Sequence, residues 1–145
     1  MEPILVSACL LGVCCRYDGK STPYPPLLEH LFQLQLIPVC PEILGGLPTP
    51  RTPCERIGCK VISQTGNDTT AAYQKGAEET LKIARLFGCK TALLKERSPS
   101  CGCGKIYDGT FCKTLVDGDG VTTQLLKENG IQVFGESCIH QILSK

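Results

Sequence analysis

At 145 residues with 42% hydrophobic side chains, the chain can bury one ordinary core, so a single domain over residues 1–145 is expected. A formal net charge of +1 supplies no basic face for nucleic acid. No run reaches the length of a membrane span, and the start lacks the charged flank and apolar core of a secretory signal, so a cytoplasmic location is expected.

The elements read as follows in chain order. Residues 4–8 form an apolar strand, followed by a turn-rich stretch over 12–19 that carries Cys14, Cys15 and Arg16. Pro23, Pro25 and Pro26 open a helix in which Leu27, Leu28, Leu31 and Leu34 recur at helical spacing, running to about Gln33. A second strand at 36–39 leads into 41–59, where four prolines and three glycines predict neither helix nor strand but a rigid wall or lid.

A short strand at 60–63 precedes a turn at Gly66-Asn67-Asp68. Asp68 is the expected N-cap of the longest helix, whose apolar stripe is Tyr73, Ala77, Leu81 and Ala84 and whose stop is Gly88 in a left-handed conformation. A strand at 91–94 follows, then a hairpin or extended excursion over 106–115 with its turn at Asp108-Gly109. Asp119 is the expected cap of a helix using Val121, Leu125 and Leu126 and stopping at Asn129-Gly130; a strand at 131–134 and a helix at 136–143 complete the chain. Strands and helices alternating at this spacing predict an α/β fold: a three-layer, Rossmann-like, mostly parallel sheet with helices on both faces.

Cys9, Cys40 and Cys101 each follow one of the predicted strands. In an open parallel sheet the carboxyl ends of strands face one crevice, so three thiols distant in sequence are brought together there. Soft thiolates favour an iron–sulfur cluster or zinc over a hard cation, and the odd total of eleven cysteines argues against a disulfide scaffold. Cys103 stands close enough to Cys101 to compete for the third position or to act as a fourth zinc thiol, which keeps open a structural zinc domain or a thiol-based sulfur carrier. His30 and His140 are read as surface or packing residues, which disfavours a Cys–His hydrolase. Gly45-Gly46 fits turn geometry better than a phosphate loop.

With their neighbours, the three segments read Ser7-Ala8-Cys9-Leu10-Leu11-Gly12, Pro38-Val39-Cys40-Pro41-Glu42 followed by Gly45-Gly46-Leu47-Pro48-Thr49-Pro50-Arg51, and Lys95-Glu96-Arg97-Ser98-Pro99-Ser100-Cys101-Gly102. Together with Ile106-Tyr107-Asp108-Gly109-Thr110-Phe111 and Gly120-Val121-Thr122, this combination closely resembles a small bacterial and archaeal family that includes the thiouracil desulfidases. The resemblance implies a cluster of four irons and four sulfides (4Fe-4S) held by Cys9, Cys40 and Cys101, with the fourth iron free of protein ligand. It also implies Glu42 and Ser98 as catalytic residues and a small thiolated pyrimidine as substrate.

The chemistry of such a site can be stated on its own. A three-thiolate cluster leaves one iron open as a Lewis acid, and a soft thiocarbonyl suits that iron better than a carbonyl does. Water attack at the ring carbon and departure of sulfide then give uracil, with Glu42 activating water or moving the proton and Ser98 donating to the ring or holding that water. The plainer alternatives are that Glu42 caps a turn or pairs with Arg51, and that Ser98 satisfies backbone in a Ser-Pro turn.

Overall fold

The computed structural model describes residues 2–144. Its strands and helices are, in order, β1 (Pro3–Ser7), α1 (Pro25–Leu28), β2 (Gln35–Val39), α2 (Pro41–Leu44), β3 (Cys54–Ile57), β4 (Lys60–Ser63), α3 (Thr70–Phe87), β5 (Thr91–Leu94), β6 (Lys105–Tyr107), β7 (Leu115–Asp117), α4 (Val121–Glu128), β8 (Gln132–Gly135) and α5 (His140–Leu143). Four strands form the central sheet in the order β2-β1-β5-β8, each pair parallel. Two antiparallel hairpins, β3-β4 and β6-β7, stand apart from it.

The period-two alternation of the strands builds the layers. Leu5, Ala92, Leu94 and Val133 pack on one face with Leu81 and Ala84 of α3 and Leu126 of α4. Ile4, Val6 and Leu93 pack on the other with Leu27 of α1, Ile139 and Ile142. The expected three-layer α/β fold is therefore present. Because the chain passes from β1 out to β2 and then back across to β5, the switch point of the sheet lies between β1 and β5, where ligands bind at the carboxyl ends.

Several local expectations are corrected. The stretch 41–59 contains α2 and β3. Pro41 occupies the first helical position, where a missing N–H costs no hydrogen bond, and the other prolines fall in the connector before β3. The predicted helix over 23–33 is only α1 followed by a 3-10 turn at Leu31–Gln33. His30 Nδ1 sits 2.7 Å from the Pro26 carbonyl, the acceptor that the His30 N–H would need to extend the helix, and that N–H turns instead to Leu27 O.

The capping positions also shift. The cap of α3 is Thr69, while Asp68 accepts hydrogen bonds from the backbone and hydroxyl of Thr70. The cap of α4 is Gly120, and Asp119 accepts from Gly104 N–H and Lys127 instead. The C-terminal helix divides into a 3-10 turn at Glu136–Cys138 and α5. Gly88 does end α3 with φ 69°.

One contact in the fold bears directly on the site. The main chains of α2 and α3 meet at Gly45 and Gly76, where a Cβ on Gly76 would collide with the Pro41 carbonyl and one on Gly45 with that of Ala72. Gly76→Ala is expected to force α2 outward and destabilise the protein by about 1–3 kcal/mol, the usual cost of overpacking, read as a lowered thermal midpoint. Since α2 follows Cys40 and carries Glu42, the same substitution is expected to lower cluster occupancy after reconstitution.

Candidate active site

A cavity of about 470 Å³ opens at the carboxyl ends of β1, β2 and β5, bordered by Cys9, Cys40, Cys101, Glu42 and Ser98. All five residues singled out in the sequence thus line one cavity. A 3-10 turn at Ala8–Leu11 follows β1 and presents Cys9; Gly12, at φ 99°, reverses the chain there, and Gly12 N–H and Thr22 N–H both donate to the Cys9 carbonyl. Cys40 is the residue between β2 and α2. Cys101 lies in the loop after β5, its N–H donating to Ser98 Oγ at 2.7 Å and its carbonyl accepting from Thr123 Oγ1 at 2.8 Å.

Besides Cys54, a further thiol borders the cavity, Cys15, which the sequence alone did not place there. It is hydrogen-bonded to both Cys9 and Cys40, and that contact is the main reason both are drawn below the usual thiol range, Cys40 to about 6. Burial opposes the shift in each case, while the Ile43 N–H assists at Cys40. Cys15 itself is pushed strongly upward, first by its bond to Cys40 and then by that to Cys9. Burial pushes Cys101 up to about 12.

A thiolate reacts with alkylating agents and a thiol does not, so reactivity is gained as pH rises through each pKa. In cluster-free protein, Cys40 is expected to take up iodoacetamide half-maximally near pH 6 and fully at neutral pH. Cys101, held up by burial, is expected to stay largely unmodified at neutral pH, as read by peptide mass mapping.

Glu42 stands in the first turn of α2. Arg51 Nε donates to its Oε1 at 2.9 Å and Ser100 Oγ to its Oε2 at 2.7 Å. Arg51 also donates to the carbonyls of Pro48 and Cys15 and to Thr49 Oγ1, which ties the proline-rich connector to the Cys9–Cys15 loop. With side chains only 6% and 13% exposed, the Arg51–Glu42 pair is shielded from solvent screening, unlike surface ion pairs. The hydroxyl of Tyr73 lies beside Glu42 and Cys54, and burial followed by the Glu42 charge pushes it far above its ordinary range.

Both plain alternatives from the sequence are therefore observed: Glu42 pairs with Arg51, and Ser98 satisfies the Cys101 amide. Neither removes these residues from the cavity. Sequence reasoning missed Cys15, Ser100 and Tyr73. The signal for Ser100 was its place directly before Cys101 in a Ser-Pro-Ser turn, where Ser98 folds back onto the backbone and Ser100 is left to face α2.

Cys103 does not border the cavity. Its thiol donates to Val133 O at 3.5 Å and packs against the α3–α4 side of the sheet. Among the described residues, no three His, Cys, Asp or Glu side chains are gathered closely enough to hold a single metal ion. An iron–sulfur cluster would not require the three thiolates to meet at one ion.

The family profile described as 2-thiouracil desulfurase matches residues 4–137. This chain belongs to the 2-thiouracil desulfurase family. It is 46% identical to a solved structure described as the [4Fe-4S]-dependent thiouracil desulfidase TudS, with a TM-score of 0.92 over 97% of this chain and 95% of that one. It is also 40% identical over 150 residues to the uncharacterized protein YbbK of Bacillus subtilis (strain 168), covering 97% of this chain and 99% of the relative. The sequence-based identification as a sulfur-removing enzyme of this family stands.

The donor set of this desulfurase-family chain fits a thiolate-bound cluster. Thr22 Oγ1 is buried without a regular hydrogen bond and sits beside Cys9, whose charged form it favours. The hydroxyls of Ser7 and Ser100 favour the charged form of Cys101, and the Ile43 N–H that of Cys40. Hydrogen bonds of this kind to ligand sulfurs are a main control on cluster chemistry. Among the described residues no helix is long and apolar enough to cross a membrane.

Proposed function

We propose that this chain converts 2-thiouracil, or a closely related thiolated pyrimidine, to uracil and sulfide without net redox change, and that Cys9, Cys40 and Cys101 hold a 4Fe-4S cluster for it. The observation that carries this reading is the meeting of the strand-end thiols of Cys9, Cys40 and Cys101 with a paired carboxylate in one cavity at the sheet's switch point. When bound, the cluster supplies an iron without protein ligand, a soft Lewis acid suited to thiocarbonyl sulfur.

The chain's own groups handle the water and its protons. Glu42 accepts one proton from water as the water oxygen bonds to the ring carbon; the second water proton passes to the sulfur, and the carbon–sulfur bond breaks to give hydrosulfide and the ring carbonyl, the proton on Glu42 then leaving to solvent. Arg51 holds Glu42 Oε1, so proton traffic runs through Oε2 and the Ser100 hydroxyl that touches it. Ser98, whose oxygen already accepts the Cys101 amide, turns its own O–H toward the ring. Residues 1–145 act as one catalytic domain on a free small molecule. None of the eleven cysteines is joined in a disulfide, which suits a reducing, cytoplasmic setting.

Anaerobic reconstitution with iron and sulfide, followed by assay of uracil and sulfide from 2-thiouracil, tests the proposal. Equimolar release of both products is expected; a fully loaded protein that releases neither would sink it.

A further inference from the structure

The rim of the cavity is built from strained backbone. Among the described residues, the non-glycine positions with left-handed φ are Arg97 (73°), Phe111 (59°) and Lys113 (60°), and all three border the cavity. Such conformations persist only where the surroundings over-determine them. For the turn that carries Phe111 and Lys113, the constraint is a buried carboxylate on the other hairpin.

Glu55 of β3 is 8% exposed, and its Oε1 accepts both the Gly109 N–H at 2.9 Å and the Phe111 N–H at 3.1 Å. Gly109, at φ 98°, lies against Ile57 so closely that a Cβ would collide with that side chain. Asp108 Oδ1 accepts from the backbone and hydroxyl of Thr110, closing the turn from within. Burying a carboxylate is costly unless donors compensate it, and here the compensation comes from the main chain of a loop far along the sequence. The desulfuration steps make no use of Glu55.

We propose that Glu55 is a positioning residue for substrate selection, fastening the 108–113 turn so that Phe111 and Lys113 form the wall against which a planar, oxygen-bearing heteroaromatic ring is held. The identity of that ring rests on the desulfuration reading; the fastening does not. An aromatic face contributes to base binding by stacking, and a cation beside it attracts a ring oxygen.

The test compares wild type, Glu55→Ala, Glu55→Gln and Phe111→Ala as reconstituted proteins, by amide hydrogen exchange and by steady-state kinetics with 2-thiouracil. Glu55→Ala is expected to speed exchange at Gly109 and Phe111 and to raise KM about tenfold, with a smaller change in kcat. Glu55→Gln keeps an acceptor oxygen and is expected to restore protection and most of the affinity. Phe111→Ala is expected to raise KM while leaving Gly109 protected.

Unchanged exchange in Glu55→Ala, or faster exchange with an unchanged KM, overturns the proposal. If Glu55→Ala does not fold, an unchanged KM in Phe111→Ala overturns it. A loaded wild type that releases no sulfide overturns the desulfuration reading and the ring assignment with it, while the exchange data still judge the fastening separately.

Discussion

Exchanging Glu42 for Gln is expected to slow uracil release about a hundredfold or more while leaving iron content at the wild-type level, because general acid–base catalysis contributes about 10²–10⁴ in rate. The two side chains have nearly the same shape. Gln keeps an oxygen to accept the Ser100 hydroxyl, but its amide can neither take a proton from water nor return one. The substitution also removes the charge opposite Arg51, a guanidinium whose side chain is 6% exposed. Some loss of stability is therefore expected, since leaving one member of a shielded pair unmatched is destabilising.

Turnover must accordingly be compared per loaded cluster and below the variant's thermal midpoint. Glu42→Gln with wild-type turnover per cluster would remove this carboxylate from proton transfer. Arg51→Met provides the complementary measurement. It keeps the carboxylate but releases Oε1, so a smaller loss is expected than for Glu42→Gln.

The second large effect is on the metal itself. Cys9→Ser, Cys40→Ser and Cys101→Ser are each expected to lose most of the bound iron and acid-labile sulfide after anaerobic reconstitution, and with them all desulfuration. Serine has nearly the volume of cysteine, yet its hard oxygen is a poor ligand for these clusters. Cys103→Ser, pointed at Val133 O on the far side of the loop, is expected to retain wild-type iron. Full loading of any of the three variants, or loss of loading in Cys103→Ser, would reassign the ligand set.

Cys101 is the most demanding of the three positions. Buried and held up near 12, it would ionise at neutral pH only if a bound metal took the place of its proton. Its loop is therefore expected to be the most sensitive of the three to cluster loss.

The strands of the central sheet were legible because each is a short apolar run whose alternate residues feed two cores, as Leu5 between Ile4 and Val6 shows. Helix α3 was legible from its stripe and from Gly88. The helix α2 was hidden because Pro41 was read as a breaker, whereas proline at a first helical position is compatible with the turn that follows. Strand β3 was hidden for a similar reason, since Pro53 ends the irregular connector immediately before the strand begins.

In the site, the three thiols could be placed together from their shared position just past the carboxyl ends of predicted parallel strands. The partners of Glu42 could not be derived in the same way. Whether Ser98 or Ser100 reaches Glu42 depends on how the Ser-Pro-Ser turn rolls over Cys101, and that is decided by Gly120, whose missing Cβ lets the start of α4 press on the Ser100 backbone. Cys15 was overlooked because its neighbour Cys14 is exposed and nothing in their spacing says which of the two turns inward.

The sheet order carries a consequence for assembly of the site. Cys9 and Cys40 follow the paired strands β1 and β2, whereas the loop of Cys101 follows β5, which pairs with the other edge of β1. A chain in which β5 has yet to pair with β1 would hold only two of the three proposed ligands in place, so iron is expected to enter after that pairing.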